Sequence, residues 1–144
     1  MSMSHIGWVI QVAAEKSFED KLKTWLESEG IYALGTEKQK MTTTPCGYWE
    51  KRWGGGKYVK GGMPDMHIVV NSISIEVELK APNGRPSDLQ IQKLNQIDNA
   101  GCIAMVLFPK DFEKFKKLIL YIKHHIIIDT NVVIFCGLER GWKK

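Results

Sequence analysis

The stretch Gly62-Met-Pro-Asp-Met-His-Ile-Val-Val-Asn-Ser-Ile-Ser-Ile-Glu-Val-Glu-Leu-Lys80 constrains this chain more than any other part of it. With a turn at Asn71-Ser72, Val70 faces Ile73 and, at the open end of the hairpin, Asp65 faces Glu78. Side chains alternate across a strand. Met66, Ile68, Val70, Ile73, Ile75, Val77 and Leu79 therefore form one continuous apolar face, and Asp65, His67, Ser74, Glu76, Glu78 and Lys80 lie on the other. The register that buries the hydrophobic residues also collects the ionisable ones on one side.

Directly opposed residues have Cβ atoms about 4.5–5.5 Å apart. At ~5 Å and an effective dielectric near 20, two carboxylates repel by roughly 3 kcal/mol, so the pair calls for a cation. Hard divalent cations take carboxylate oxygens, and Mg²⁺ needs only one or two of them beside phosphate oxygens. The competing reading is an ordinary hairpin whose charges form a solvated face.

Gly-Met-Pro-Asp65, then Glu78-Leu-Lys80, then Ser87-Asp-Leu-Gln90 resembles the PD-(D/E)xK nuclease signature. The form most similar is the stand-alone VRR-NUC domain, close to archaeal-type Holliday junction resolvases. The likeness runs from about Glu15 to Phe115 and includes Gly101 followed by an apolar strand. It implies a restriction-endonuclease-like α/β core, with a mixed central sheet flanked by helices, filling residues 1–144 as one domain. It also implies a Mg²⁺-dependent deoxyribonuclease, with Mn²⁺ as a substitute, acting on branched DNA as a homodimer. The rival readings are a monomer that cuts flaps, nicks or ends, and a catalytically silent DNA-binding module. By the same analogy a compact nuclease of this kind suggests a phage or mobile element working in a bacterial cytoplasm.

Asp65, after Pro64, is read as a metal ligand or as a turn aspartate at the start of the strand. Glu78 is the second ligand, and the Leu79 backbone carbonyl is implied as a third by the resemblance alone. Lys80 would sit beside the scissile phosphate and meet the charge that develops there, unless it is a solvated lysine at a strand end. The first helix offers Glu19, eleven residues before Gly30, where the resembled resolvases carry an acid; Glu15, one turn earlier, is its rival. Gln90 carries two readings at once. Ser87-x-x-Gln90 is a capping box, and it is also the fourth motif of the resembled family. His67 and Glu76 are expected to pair across the hairpin, and His124-His125 to end a helix beside its carbonyl dipole.

Between Lys38 and Gly62 the chain is basic and glycine-rich, with Trp49, Trp53 and Tyr58 among Lys51, Arg52, Lys57 and Lys60. It lacks the Gly-Lys-Ser/Thr ending of a phosphate-binding P-loop. Lysines interleaved with aromatics suit phosphates and unstacked bases, so Lys57, Lys60 and Arg52, with Arg85, are read as DNA-binding; a turn-rich loop is the plain alternative. Twenty Lys and Arg against sixteen Asp and Glu give +4, a mild excess that permits nucleic acid without requiring it. Cys46, Cys102 and Cys136 are odd in number and have no ligand spacing, which fits reduced thiols in a cytosolic protein. Neither a secretory signal nor an apolar run of membrane-spanning length is visible.

Helices are expected over about Ala14–Glu29, Ser87–Ala100 and Lys110–Lys123, and strands over Ile31–Glu37, the two hairpin arms and Ile103–Phe108. Ile126-Ile-Ile and Val132-Val-Ile-Phe read as short terminal strands.

Overall fold

The computed structural model describes residues 4–43, 46–52, 61–125 and 131–142. Its centre is a five-stranded mixed sheet in the order β1 (Tyr32–Ala33), β2 (Gly47–Lys51), β3 (Met66–Val70), β4 (Ile73–Leu79), β5 (Ile103–Leu107). The hairpin pairs β3 with β4 in the expected register, Val70 opposite Ile73 and Met66 opposite Val77. Asn71 and Ser72 both take positive φ, 48° and 70°, the handedness that matches the twist of a two-residue hairpin. The strain at Asn71 is offset by its side chain, whose amide donates to the Ile122 and His125 carbonyls and so ties the hairpin turn to the end of a helix. β2 runs antiparallel to β3, whereas β1 and β5 pair in parallel with β2 and β4.

α1 (His5–Ser28) begins nine residues earlier than its hydrophobic stripe predicts. Ser4 caps it by accepting the Gly7 N–H at 3.0 Å. It ends where Gly30, at φ +80°, lets Ile31 N–H return to the Leu26 carbonyl at 2.9 Å, a left-handed stop that costs glycine little. Phe18, Leu22 and Leu26 of α1 and Phe115, Leu118, Ile119 and Ile122 of α4 (Phe112–His124) join the apolar hairpin face in one buried cluster. Between β4 and β5 the chain crosses over through α3 (Asp88–Asn99). A fold of mixed sheet and flanking helices follows from this order.

Three sequence expectations need correction. The strand expected over Ile31–Glu37 is only Tyr32–Ala33, after which Thr36 caps a short helix, α2 (Glu37–Met41). The stretch read as one basic loop contains β2, because Tyr48, Trp49 and Glu50 find partners along the free edge of β3. Val132–Phe135 is one helical turn, α5, rather than a strand. It buries Val132 and Val133 and leaves Ile134 and Phe135 outside, a division that helical spacing gives and alternation does not. Ile126–Ile128 lie outside the described residues. No helix among the described residues is long and apolar enough to cross a membrane.

Candidate active site

The open end of the hairpin brings Asp65 and Glu78 together. Asp65 precedes β3, and its Oδ2 accepts the Leu79 N–H at 2.8 Å, which turns the carboxylate toward β4. The approach to it is tightly packed: a Cβ at Gly62 would fall 2.6 Å from Leu89 Cγ. Glu78 is 2% exposed. Its Oε1 accepts the Gln90 amide at 2.9 Å and lies 3.6 Å from Lys80 Nζ, while its Oε2 is buried with no hydrogen-bond partner among the described residues. Burial, then the charge of Asp65, push the Glu78 carboxyl up to about 8, against the pull of Lys80. A buried, repelled carboxylate wants either a proton or a cation.

Gln90 meets both of its sequence readings. Its Oε1 accepts the Ser87 N–H at 2.8 Å while Ser87 Oγ accepts the Gln90 N–H at 3.2 Å, which completes the capping box. Its Nε2 is left free to hold Glu78. A capping glutamine offers two ends, and here each is used.

Lys80 is anchored by its backbone N–H on the Leu107 carbonyl at 3.1 Å, and only 15% of its side chain is exposed. Glu15 belongs to this neighbourhood. Burial raises its carboxyl, Lys80 draws it down and Asp65 pushes it up again. Glu19, one turn on, is buried in other company: its oxygens take Lys23 at 2.9 Å, Lys16 at 3.2 Å and also Lys51 of β2. Burial alone would raise the Glu19 carboxyl, but these ammonium groups bring it down to about 2.

Arg52 is engaged inside the protein. It grips Glu76 with both terminal nitrogens, at 2.5 and 2.7 Å, and donates to the Pro64 carbonyl at 3.1 Å. The expected His67–Glu76 pair is accordingly absent: His67 turns to Ser74 at 2.8 Å and Glu50 at 3.4 Å, because the guanidinium is the stronger partner for Glu76. Arg85 is exposed and lines a cleft of about 390 Å³ with Trp8, Gln11, Val12, Glu15, Lys80, Asn83 and Gly84. Lys57 and Lys60 lie outside the described residues. His125 stacks on Tyr121, with ring centroids 3.7 Å apart.

Among the described residues no three His, Cys, Asp or Glu side chains form a complete metal cage. The donors nevertheless fit a hard divalent cation. Two carboxylates face each other, and one buried oxygen lacks a partner. Mg²⁺ takes few protein carboxylates and leaves the rest of its shell to water and phosphate. Compared with family models, curated proteins and solved structures, the chain matches none.

Trp8 is the residue the sequence reading passed over. The signal was present: Ser4 is a favourable N-cap residue well ahead of the apolar stripe, and nothing between Ser4 and Ala14 breaks a helix outright.

Proposed function

We propose that this chain is a Mg²⁺-dependent, structure-selective DNA endonuclease with a PD-(D/E)xK core, resolving branched DNA of the Holliday-junction kind as a homodimer. The observation that carries this reading is the Asp65–Glu78 pair, face to face, with a partnerless buried oxygen and with Lys80 and Gln90 against the other oxygen. A binding module has no use for clustered acids that repel phosphate.

Asp65, Glu78 and the Leu79 carbonyl would hold the cation, with Glu15 or Glu19 completing its surroundings. When bound, Mg²⁺ supplies a Lewis acid for the phosphoryl oxygens and a water of lowered pKa. The chain's own groups do the positioning. The Leu79 N–H fixes Asp65, and the Gln90 amide fixes Glu78. Lys80, held by its backbone and shielded from bulk water, presents positive charge to the scissile phosphate, where a preorganised donor counts most as negative charge develops. A two-fold dimer matches the symmetry of a four-way junction.

The test is a panel of labelled junctions, flaps, nicked and intact duplexes and single strands, with Mg²⁺, Mn²⁺ or EDTA, alongside sedimentation of the protein. Metal-dependent incision fastest on junctions, by a species of twice the chain mass, is expected. Incision in EDTA, or none on any substrate with metal, would remove the nuclease reading. A monomer faster on flaps would replace the junction and the dimer.

A further inference from the structure

The first ten residues of α1, His5 to Ala14, contain no Lys, Arg, Asp or Glu, and Trp8 stands 57% exposed among them. Ile6, Val9, Ile10 and Val12 are exposed beside it; exposure of apolar residues is ordinary by itself, and the position of Trp8 is what is informative. Trp8, Gln11, Val12 and Glu15 recur at helical spacing on one face. That face forms one wall of the cleft whose other wall is Lys80, Asn83, Gly84 and Arg85. Its volume, about 390 Å³, falls within the range of roughly 300–1,000 Å³ typical of small-ligand sites. Lys80 and Glu15 mark the end beside the carboxylate pair, and Trp8, Val12, Asn83 and Arg85 are exposed. Seven residues of helix place Trp8 roughly 10 Å from Glu15 along the axis, a span of about three nucleotides of a strand.

We infer that this cleft receives an unpaired nucleotide of the DNA strand being cut, its base stacked on Trp8 and its phosphate at Arg85. The inference rests on the nuclease reading and names a substrate feature of the same site; in a four-way junction, whose arms are paired, that nucleotide is one opened at the branch point. Each wall answers one half of a nucleotide. The indole and Val12 offer an apolar surface to a base, and the guanidinium offers a fork to a phosphate. A paired base has its faces already covered by its neighbours, so only an unpaired one gains from stacking on Trp8. A second copy of the uncharged helix would leave the charged wall unanswered, which favours an anionic, flat ligand.

The experiment is fluorescence anisotropy in EDTA, where no incision occurs, with a labelled duplex carrying a single-stranded tail and with the same duplex blunt. Trp8→Ala should weaken binding of the tailed duplex about tenfold, change the blunt one less than about twofold, and leave the thermal melt unmoved. Trp8→Phe should keep most of the affinity. A tail of abasic sugar-phosphates should weaken the parent as much as Trp8→Ala does, and the two losses should not add, because both remove the same contact. Equal losses on tailed and blunt DNA, additive losses, or a change of sedimentation mass in Trp8→Ala would overturn the inference, the last by assigning Trp8 to a contact between copies. Binding and cutting separate the two claims. A parent that prefers tails but cuts nothing keeps the cleft and loses the nuclease, whereas an active parent whose preference survives Trp8→Ala keeps the nuclease and loses the cleft.

Discussion

Glu19 and Glu78 are both nearly inaccessible, at 6% and 2% exposure, yet they are driven in opposite directions, to about 2 and about 8. Burial raises both. What separates them is company. Glu19 looks at Lys16 and Lys23 of its own helix and at Lys51, which ties α1 to β2. Glu78 looks at Asp65, with Lys80 more distant at 3.6 Å and one oxygen unanswered. The first arrangement is complete as it stands and holds the fold together. The second is complete only with something added, and a buried carboxylate oxygen left unsatisfied beside a second acid calls for a ligand or a proton to explain it.

The largest effect expected from this contrast is on metal binding. A calorimetric titration with Mn²⁺ should lose most of its heat in Asp65→Ala and in Glu78→Ala, and incision should go with it. Glu19→Gln should leave the heat essentially intact. If all three variants bound Mn²⁺ like the parent, the two buried acids would be equivalent and the contrast empty. Next in size, Lys80→Ala should slow incision by about 10²–10³ while DNA affinity changes little, since on the proposed reading its charge is spent on the transition state more than on the ground state. A rate within a fewfold of the parent would reduce Lys80 to a shielded strand-end lysine.

Stability against pH should separate the two acids by sign. Glu78 holds its proton up to about 8 in the folded chain, above the ordinary carboxylate value of 4.5, so between those values the unfolded chain binds fewer protons. Stability should therefore fall as pH rises through that window, by at most about 1.4 kcal/mol per unit. For Glu19 the folded value of about 2 lies below 4.5. Its contribution is present above pH 4.5 and disappears as pH falls toward 2. Melts in EDTA should show Glu78→Gln flattening the first slope and Glu19→Gln flattening the second. At pH 7, Glu19→Gln should also cost about 1–3 kcal/mol, the usual loss when charged partners are left unanswered. A Glu78→Gln variant with the parent's slope between pH 5 and 8 would show that Asp65 and Glu78 do not repel as described.

How much of this was legible beforehand follows from where the information sits. The hairpin register could be read because a slip of one residue would turn Met66, Ile68 and Val70 out of the core. Once the register is set, the meeting of Asp65 and Glu78 follows. The second use of Gln90 could be proposed but not seen, because a capping box spends only one end of the amide and sequence does not show where the other points. β2 was hidden because Tyr48 to Lys51 have weak alternation and owe their strand state to the open edge of β3. The Arg52–Glu76 pair was hidden for a related reason: clustered basic residues look alike in a sequence, and only the fold brings Glu76 within reach of this one. The helical turn at Val132–Phe135 is a four-residue apolar run, too short for any period to decide.

The smallest effect expected concerns which helix acid would serve the proposed metal site, and it sharpens the same contrast within a single turn of α1. The resemblance points to Glu19 by its distance from Gly30. The geometry points to Glu15: its carboxyl feels Lys80 and Asp65 most after its own burial, whereas Glu19 is saturated by Lys51, Lys23 and Lys16. A carboxylate already bound by that many ammonium groups has little negative charge left to offer a cation, and withdrawing it would break those ion pairs. Glu15→Gln should therefore weaken Mn²⁺ binding by a few-fold to about tenfold, the range in which outer ligands act, with the melting temperature unchanged. Glu19→Gln should do the reverse, lowering the melting temperature while metal affinity stays within about twofold. Measuring both properties on both variants leaves no ambiguity of folding. Should Glu19→Gln lose metal affinity at unchanged stability, the lysine cluster would have to open on metal binding, and Glu19 would take the place argued for Glu15.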